Sequence, residues 1–184
     1  MKISNIKQNR FLLLANLGES IFHVGDLSRI WNIKNRQNLS TTLNRYVNSG
    51  LMYRLYRGLY ALKKVENLDP LLLGAKAINS YCYLGGETIL LKHGAIFQQV
   101  NYFTFVGQRT KRFEIVSYKY YCRQLKDKFL FNDTGIDKTG KFNEASLERA
   151  VADILYVNPH YHFDNPKIIN QVKLKNILQT VYNK

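Results

Sequence analysis

Cysteine is scarce in this chain, with 2 among 184 residues, Cys82 and Cys122. They lie far apart in sequence and form neither a CxxC pair nor a metal-ligand spacing. A thiolate metal centre is therefore not indicated, and small buried hydrophobes in a reducing compartment are expected. Long apolar runs are missing as well, and no stretch approaches the roughly 18–20 residues that a membrane span needs. Met1-Lys2-Ile3-Ser4 leads into polar residues, so no signal peptide is expected and a cytoplasmic protein is anticipated. Acidic residues are few, 13 against 27 Lys and Arg. They are spread without the clustering that a metal-dependent nuclease would want. Neither internal repeats nor low-complexity segments are visible.

Enough apolar material is present for a core: the hydrophobic fraction is 46% and the mean hydropathy is −0.28. The formal net charge is +14, and it is unevenly distributed. Residues 1–62 hold 9 Lys+Arg and 2 Asp+Glu, while residues 63–184 hold 18 and 11, so each part carries +7. The first part is about half as long, and its charge density is about double. That asymmetry points to a polyanion-binding surface at the N-terminus. Drift in a low-GC genome inflates Lys, Asn, Ile and Tyr, yet most of the N-terminal cations are Arg.

The stretch from Asn35 to Leu62 concentrates this signal. Leu39, Leu43, Tyr46 and Val47 recur at helical spacing, and Asn48-Ser49-Gly50 closes the helix. Two short β-rich runs follow around Arg57-Gly58, with Leu51, Tyr53 and Leu55 alternating before the turn and Leu59 and Ala61 after it. A polar helix followed by a basic hairpin is the sequence form of a winged helix. With Leu39, Leu43 and Val47 inward, a rotation of about 100° per residue turns Gln37, Thr41, Asn44 and Asn48 outward, flanked by Asn38 and Arg45. Such side chains donate to and accept from base edges, and Arg45 suits a guanine or a phosphate. Arg54 and Arg57, beside Tyr53 and Tyr56, make the hairpin cationic where a phosphate backbone would pass. The plain alternative is a solvated helix and hairpin.

Upstream, 9–17 reads as a helix closing at Gly18, and 20–24 as a short strand. Gly25-Asp26 then offers an N-cap for a helix carrying Leu27, Ile30 and Trp31. His23 reads as a strand residue. Residues 1–66 are thus expected to form a winged helix-turn-helix, and 67–184 a mixed helical and antiparallel-strand domain, an α+β protein overall. In the second part each of the 3 prolines follows Asp or Asn, at Asp69-Pro70, Asn158-Pro159 and Asn165-Pro166, and all look like helix starts. Further helices are expected over 88–96 and from Phe142 to Tyr156, and a bent one after Pro166. Strands are expected over 102–106, 113–121 and 128–131. Arg109-Thr110-Lys111-Arg112 reads as a solvated basic hairpin tip, with contact to nucleic acid as the alternative.

Three pieces resemble one family. Ser49-Gly50-Leu51 with Arg57-Gly58-Leu59-Tyr60 looks like the wing of AbiEi-type antitoxins of type IV toxin–antitoxin systems. The segment from Tyr83 to Gly94, ending in His93-Gly94, is similar to the one that follows the wing there. Ala145-Ser146-Leu147-Glu148-Arg149-Ala150-Val151-Ala152-Asp153 is similar to the family's Ala-Ser-x-Glu-Lys-Ala-x-x-Asp helix, with Arg149 in place of Lys. Gly85-Gly86 departs from the Ser-containing version. The resemblance implies an antitoxin that represses its own operon by binding double-stranded DNA. It also implies a C-terminal domain that counteracts a nucleotidyltransferase-like toxin, with or without a stable complex.

The other functions to weigh are a stand-alone regulator, a protein-interaction module and a metal-dependent nucleic-acid enzyme. For the last, His160-Tyr161-His162 near Asp164 is the nearest approach to a metal pair, but two His at i and i+2 share a face only on a strand. His93 suits a helix C-terminus. Glu144, Glu148 and Asp153 are expected on one helix, where exposed glutamates are common. Ser146 has no identifiable base beside it. Neither a cofactor nor a metal nor a catalytic residue is assigned.

Overall fold

The computed structural model describes residues 10–184. The chain divides into two compact units, one up to Ala77 and one from Ile78, and both mix helix with strand.

In the first unit residues 10–16 are helical (α1); Asn9, where that helix was expected to open, lies outside the described residues. There follow β1 (Ile21–His23), α2 (Val24–Ile30), α3 (Arg36–Asn48), β2 (Tyr53–Tyr56), β3 (Leu59–Ala61), a 3-10 turn over Val65–Asn67, and α4 (Pro70–Ile78). The strands form a three-stranded antiparallel sheet in the order β1-β3-β2. Leu14, Phe22, Leu27, Trp31, Leu39, Leu43, Tyr46, Met52 and Tyr60 pack into one apolar core. Trp31 stacks on Tyr46 with ring centroids 5.3 Å apart, which fixes α3 against the end of α2.

Two local expectations are corrected here. Gly25-Asp26 does not cap α2; His23 does. Its Nδ1 accepts from the Gly25 N–H at 3.3 Å, and Asp26 reaches back to accept from the His23 N–H, a capping box with histidine in the leading position. In the hairpin, Met52 is buried while Leu51 is 39% exposed. The register slips between Arg54 and Tyr56, so Leu55 is the extra residue of a bulge and the strict alternation ends there.

The second unit contains β4 (Cys82–Leu84), α5 (Gly86–His93), β5 (Phe103–Gly107), β6 (Lys111–Ile115), β7 (Tyr118–Gln124), α6 (Asp127–Leu130), β8 (Ile136–Asp137), β9 (Asn143–Ala145), α7 (Leu147–Val157), a 3-10 turn over Pro166–Ile168, and α8 (Gln171–Tyr182). Its six strands run β6-β7-β5-β4-β9-β8. The sheet is mixed rather than antiparallel, because β5 pairs with β7, and β4 with β9, in parallel.

Several boundaries differ from expectation for identifiable reasons. Residues 128–131 lie in and beside the single helical turn α6, not a strand. Its neighbours Phe129 and Leu130 are both buried, whereas a strand would turn them to opposite faces. The run 113–121 breaks at Val116, whose φ is +56°, into two hairpin strands. The expected helix start at Phe142 is strand β9; α7 begins at Leu147, where Ser146 Oγ accepts from the Arg149 N–H at 3.1 Å. Asn158-Pro159 ends α7 instead of opening a helix, and Asn158 Oδ1 accepts from the His160 N–H to close the turn. After Pro166 there is a break and not a bend: Asn170 starts α8 afresh, its side chain accepting from the Val172 and Lys173 N–H groups. The helix expected over 88–96 stops at His93, with Gly94 in the left-handed conformation, φ +72°.

Candidate nucleic-acid interface

The candidate surface is built on α3 and the β2–β3 hairpin. Asn35 caps α3, its Oδ1 accepting from the Asn38 N–H at 3.0 Å. Ser49 closes the helix and Gly50 turns the chain at φ +69°. Leu39, Leu43 and Tyr46 are buried, and Val47, expected inward, is partly so. That stripe fixes the rotation of the helix. Gln37, Asn38, Thr41, Asn44, Arg45 and Asn48 are all exposed.

The hairpin adds two exposed cations, Arg54 on the edge strand β2 and Arg57 at the turn. The turn is seated by its glycine. Gly58 sits at φ +75°, its carbonyl accepts from the Val24 N–H at 2.8 Å, and a Cβ there would lie 3.3 Å from His23 Nε2. The residue that caps α2 therefore also sets how closely the hairpin turn can approach. Glu19 and Asp26 are engaged elsewhere in the unit, with Lys76 and Arg29 respectively, each at 2.7 Å. Among the described residues no carboxylate pairs with Arg45, Arg54 or Arg57. A helix face of amides and hydroxyls beside unneutralised guanidinium groups can hydrogen-bond base edges and attract phosphates.

The residues weighed for catalysis have other partners. Glu144 lies on β9, not on a helix with Glu148, and pairs with Lys92 at 2.5 Å. Glu148 is buried, not exposed, and its Oε1 accepts from the Asn170 N–H at the start of α8. With His93 and Ser146 these side chains line a cleft of about 620 Å³. Asp153 is buried and fully occupied: Oδ1 takes bonds from Arg149 Nε at 2.7 Å and Tyr182 at 2.5 Å, and Oδ2 takes one from Tyr83 at 2.7 Å. Burial pushes its carboxyl up, opposed by the Arg149 cation and the two tyrosine hydroxyls. Arg149 itself is 0% exposed and also donates to the carbonyls of Phe129, Asn132 and Thr134. The Arg149–Asp153 pair is thus the polar centre of the second unit. Sequence reasoning missed it by giving α7 one buried face, when every residue from Leu147 to Ile154 is buried. The i, i+4 spacing of Arg and Asp in an apolar run was the available signal.

His162 approaches Asp164 at 3.8 Å but is exposed. Among the described residues no group of three or more His, Cys, Asp or Glu is arranged to hold a metal. Nor is any helix among them long and apolar enough to cross a membrane. The two cysteines, distant in sequence, are buried thiols that both lie beside Gly107.

No family model matches the chain, and no curated protein does. Among solved structures it is similar to the crystal structure of the Rv2827c protein from Mycobacterium tuberculosis. The TM-score is 0.56 at 12% identity, over 96% of this chain and 72% of that one. At that identity the likeness shows a shared fold and nothing of activity.

Proposed function

We propose that the chain is an antitoxin of the AbiEi type and a DNA-binding autorepressor. Its first unit acts as a winged helix-turn-helix, with α3 in the major groove and the β2–β3 hairpin as the wing. Gln37, Asn38, Thr41, Asn44, Arg45 and Asn48 read or line the groove, and Arg54 and Arg57 hold phosphates. The second unit counteracts a nucleotidyltransferase-like toxin in the cytoplasm. The observation that carries this reading is the outer face of α3. Six polar side chains stand exposed on one helix, the apolar stripe behind them is buried, and among the described residues no acid pairs with the two arginines of the hairpin that follows it. Supporting the antitoxin part, His93 and the residues from Ala145 to Glu148, drawn from two of the resembling segments, line one cleft, and Arg149 and Asp153 of the second segment form a buried ion pair.

Co-expression tests the pair of activities. The chain should silence a reporter driven by its own upstream region and restore growth to cells expressing the nucleotidyltransferase encoded beside it. Asn44→Ala with Arg45→Ala should abolish silencing and leave growth rescue intact. Reporter activity unchanged by the wild-type chain would refute the repressor role, and absence of rescue would refute the antitoxin role.

A further inference from the structure

The basic segment Arg109–Arg112 does not end as a hairpin tip. Lys111 and Arg112 enter edge strand β6, and Arg112 sits directly opposite Tyr121 on β7. Alternation along β7 buries Tyr120 and Cys122 on one face and turns Lys119 and Tyr121 to the other. On that outer face the Arg112 guanidinium lies over the Tyr121 ring, 4.7 Å from its centroid. Tyr102, 38% exposed, meets Tyr121 edge to face with centroids 5.9 Å apart and planes at 89°. Tyr102, Arg112, Glu114, Lys119 and Tyr121 line a cleft of about 400 Å³ at the sheet edge, completed by Phe113 and Tyr120. Small-molecule sites run from roughly 300 to 1,000 Å³. Arg123 beside it is spent on Glu87 at 2.7 Å. Among the described residues neither Arg112 nor Lys119 is held in an ion pair, with Glu114 the residue opposite Lys119 on β6.

We infer that this face of the second unit binds single-stranded RNA. Aromatic rings presented on a sheet beside free cations are what unpaired bases and their phosphates require together. Bases stack on the rings while guanidinium and ammonium groups take the backbone. A duplex keeps its base faces hidden and has no use for an exposed tyrosine. With Tyr121 covered by the Arg112 guanidinium, the exposed ring of Tyr102 is the one on which a base stacks. Glu114 stands opposite Lys119 across the β6–β7 pair, on the same face as Arg112 and Tyr121. A carboxylate there accepts from a ligand hydroxyl, and the ribose 2′-hydroxyl is a donor that deoxyribose lacks.

The test is fluorescence anisotropy of the full chain with a labelled single-stranded oligoribonucleotide of about 12 nucleotides, a length within the site sizes of such surfaces. Tyr102→Ala and Arg112→Glu should each weaken binding by roughly tenfold, the scale of one lost stacking or phosphate contact, and Tyr102→Phe should retain it. Both positions are exposed, and thermal unfolding checks that the variants fold. The deoxy oligonucleotide of the same sequence should bind more weakly, and Glu114→Gln should narrow that gap. The triple variant Asn44→Ala, Arg45→Ala, Arg57→Ala should bind the RNA as wild type does. This separates the inference from the duplex-binding proposal. Binding unaffected by Tyr102→Ala and Arg112→Glu, binding lost in the triple variant, or equal binding of RNA and DNA would each overturn it.

Discussion

Asn44 and Arg45 differ from Arg57 in what they offer a duplex. The first two stand on a helix face held in rotation by Leu39, Leu43 and Tyr46, so their hydrogen-bonding groups have a fixed direction. Arg57 stands at a turn and offers chiefly charge. Replacing Asn44 or Arg45 by Ala should therefore cost about 1–3 kcal/mol at the preferred site and relax preference there. Replacing Arg57 should weaken binding to all sequences alike and lower the salt slope by about one. Competition anisotropy at several salt concentrations reads both, and equal loss of preference from the two changes would contradict the division. In the second unit the decisive single side chain is Arg149. Arg149→Met leaves the buried Asp153 carboxylate without its cation, and a loss of about 3–5 kcal/mol is expected in denaturant unfolding. A loss near zero would mean that Tyr83 and Tyr182 alone satisfy Asp153. The cysteines make a pH prediction. Burial pushes the Cys82 thiol from 9.0 up to about 12 and Cys122 from 9.0 up to about 11. The unfolded chain then releases these protons at lower pH than the folded one, so the stability they contribute is complete below pH 9 and lost as pH rises towards 12. Thermal unfolding under reducing conditions should fall across that window, less steeply in Cys82→Ala.

At the scale of elements, helices with one apolar stripe and a polar cap are legible in the sequence, and α3 is the clearest. Its cap Asn35, its stripe and its terminal Gly50 agree with one another, so its bounds and its outer face follow from spacing alone. The short elements are not legible, since a run of three or four residues satisfies both periods. Phe129-Leu130 is the example: only the aromatic cluster of Phe129 with Tyr156 and Tyr182 selects the helical turn. Strands β4 and β9 are hidden for another reason. Each is three residues long, and they pair in parallel across some 60 residues of chain. No local pattern announces such a partner. His23 was legible as a strand residue but not as a cap, because histidine is an unusual N-cap and its role depends on the Gly58 turn close by. Gly58→Ala should accordingly lower stability by about 1–2 kcal/mol through its left-handed backbone, with a further loss from the His23 contact. His23→Ala should then make Gly58→Ala less costly, and a double-mutant cycle measures that coupling; strict additivity would contradict it. Gly86 is a second such place. At φ +54° a Cβ would come within 2.7 Å of Thr104 Cγ2, so both backbone and space call for glycine there.

For the molecule as a whole, the charge of +14 is the feature that composition states most plainly and assigns least well. Half of it falls on the first 62 residues, where the arginines of α3 and the hairpin have no ion-pair partner among the described residues. In the second unit several cations are engaged by acids: Arg149 inside, and Lys92, Arg123 and Lys138 in further ion pairs. Arg112 and Lys119 remain free beside tyrosines. Net charge alone points only to the first unit; the strand register is what directs the second inference to the β6–β7 face. The most direct test of the central claim is anisotropy of the full chain on its own upstream duplex against a scrambled duplex of equal length at physiological salt. A preference of at least about 10³ for the upstream sequence, lost in Asn44→Ala with Arg45→Ala, is the expected result for a sequence-reading helix. Equal affinity for the two duplexes, or a preference that survives the double substitution, would contradict it.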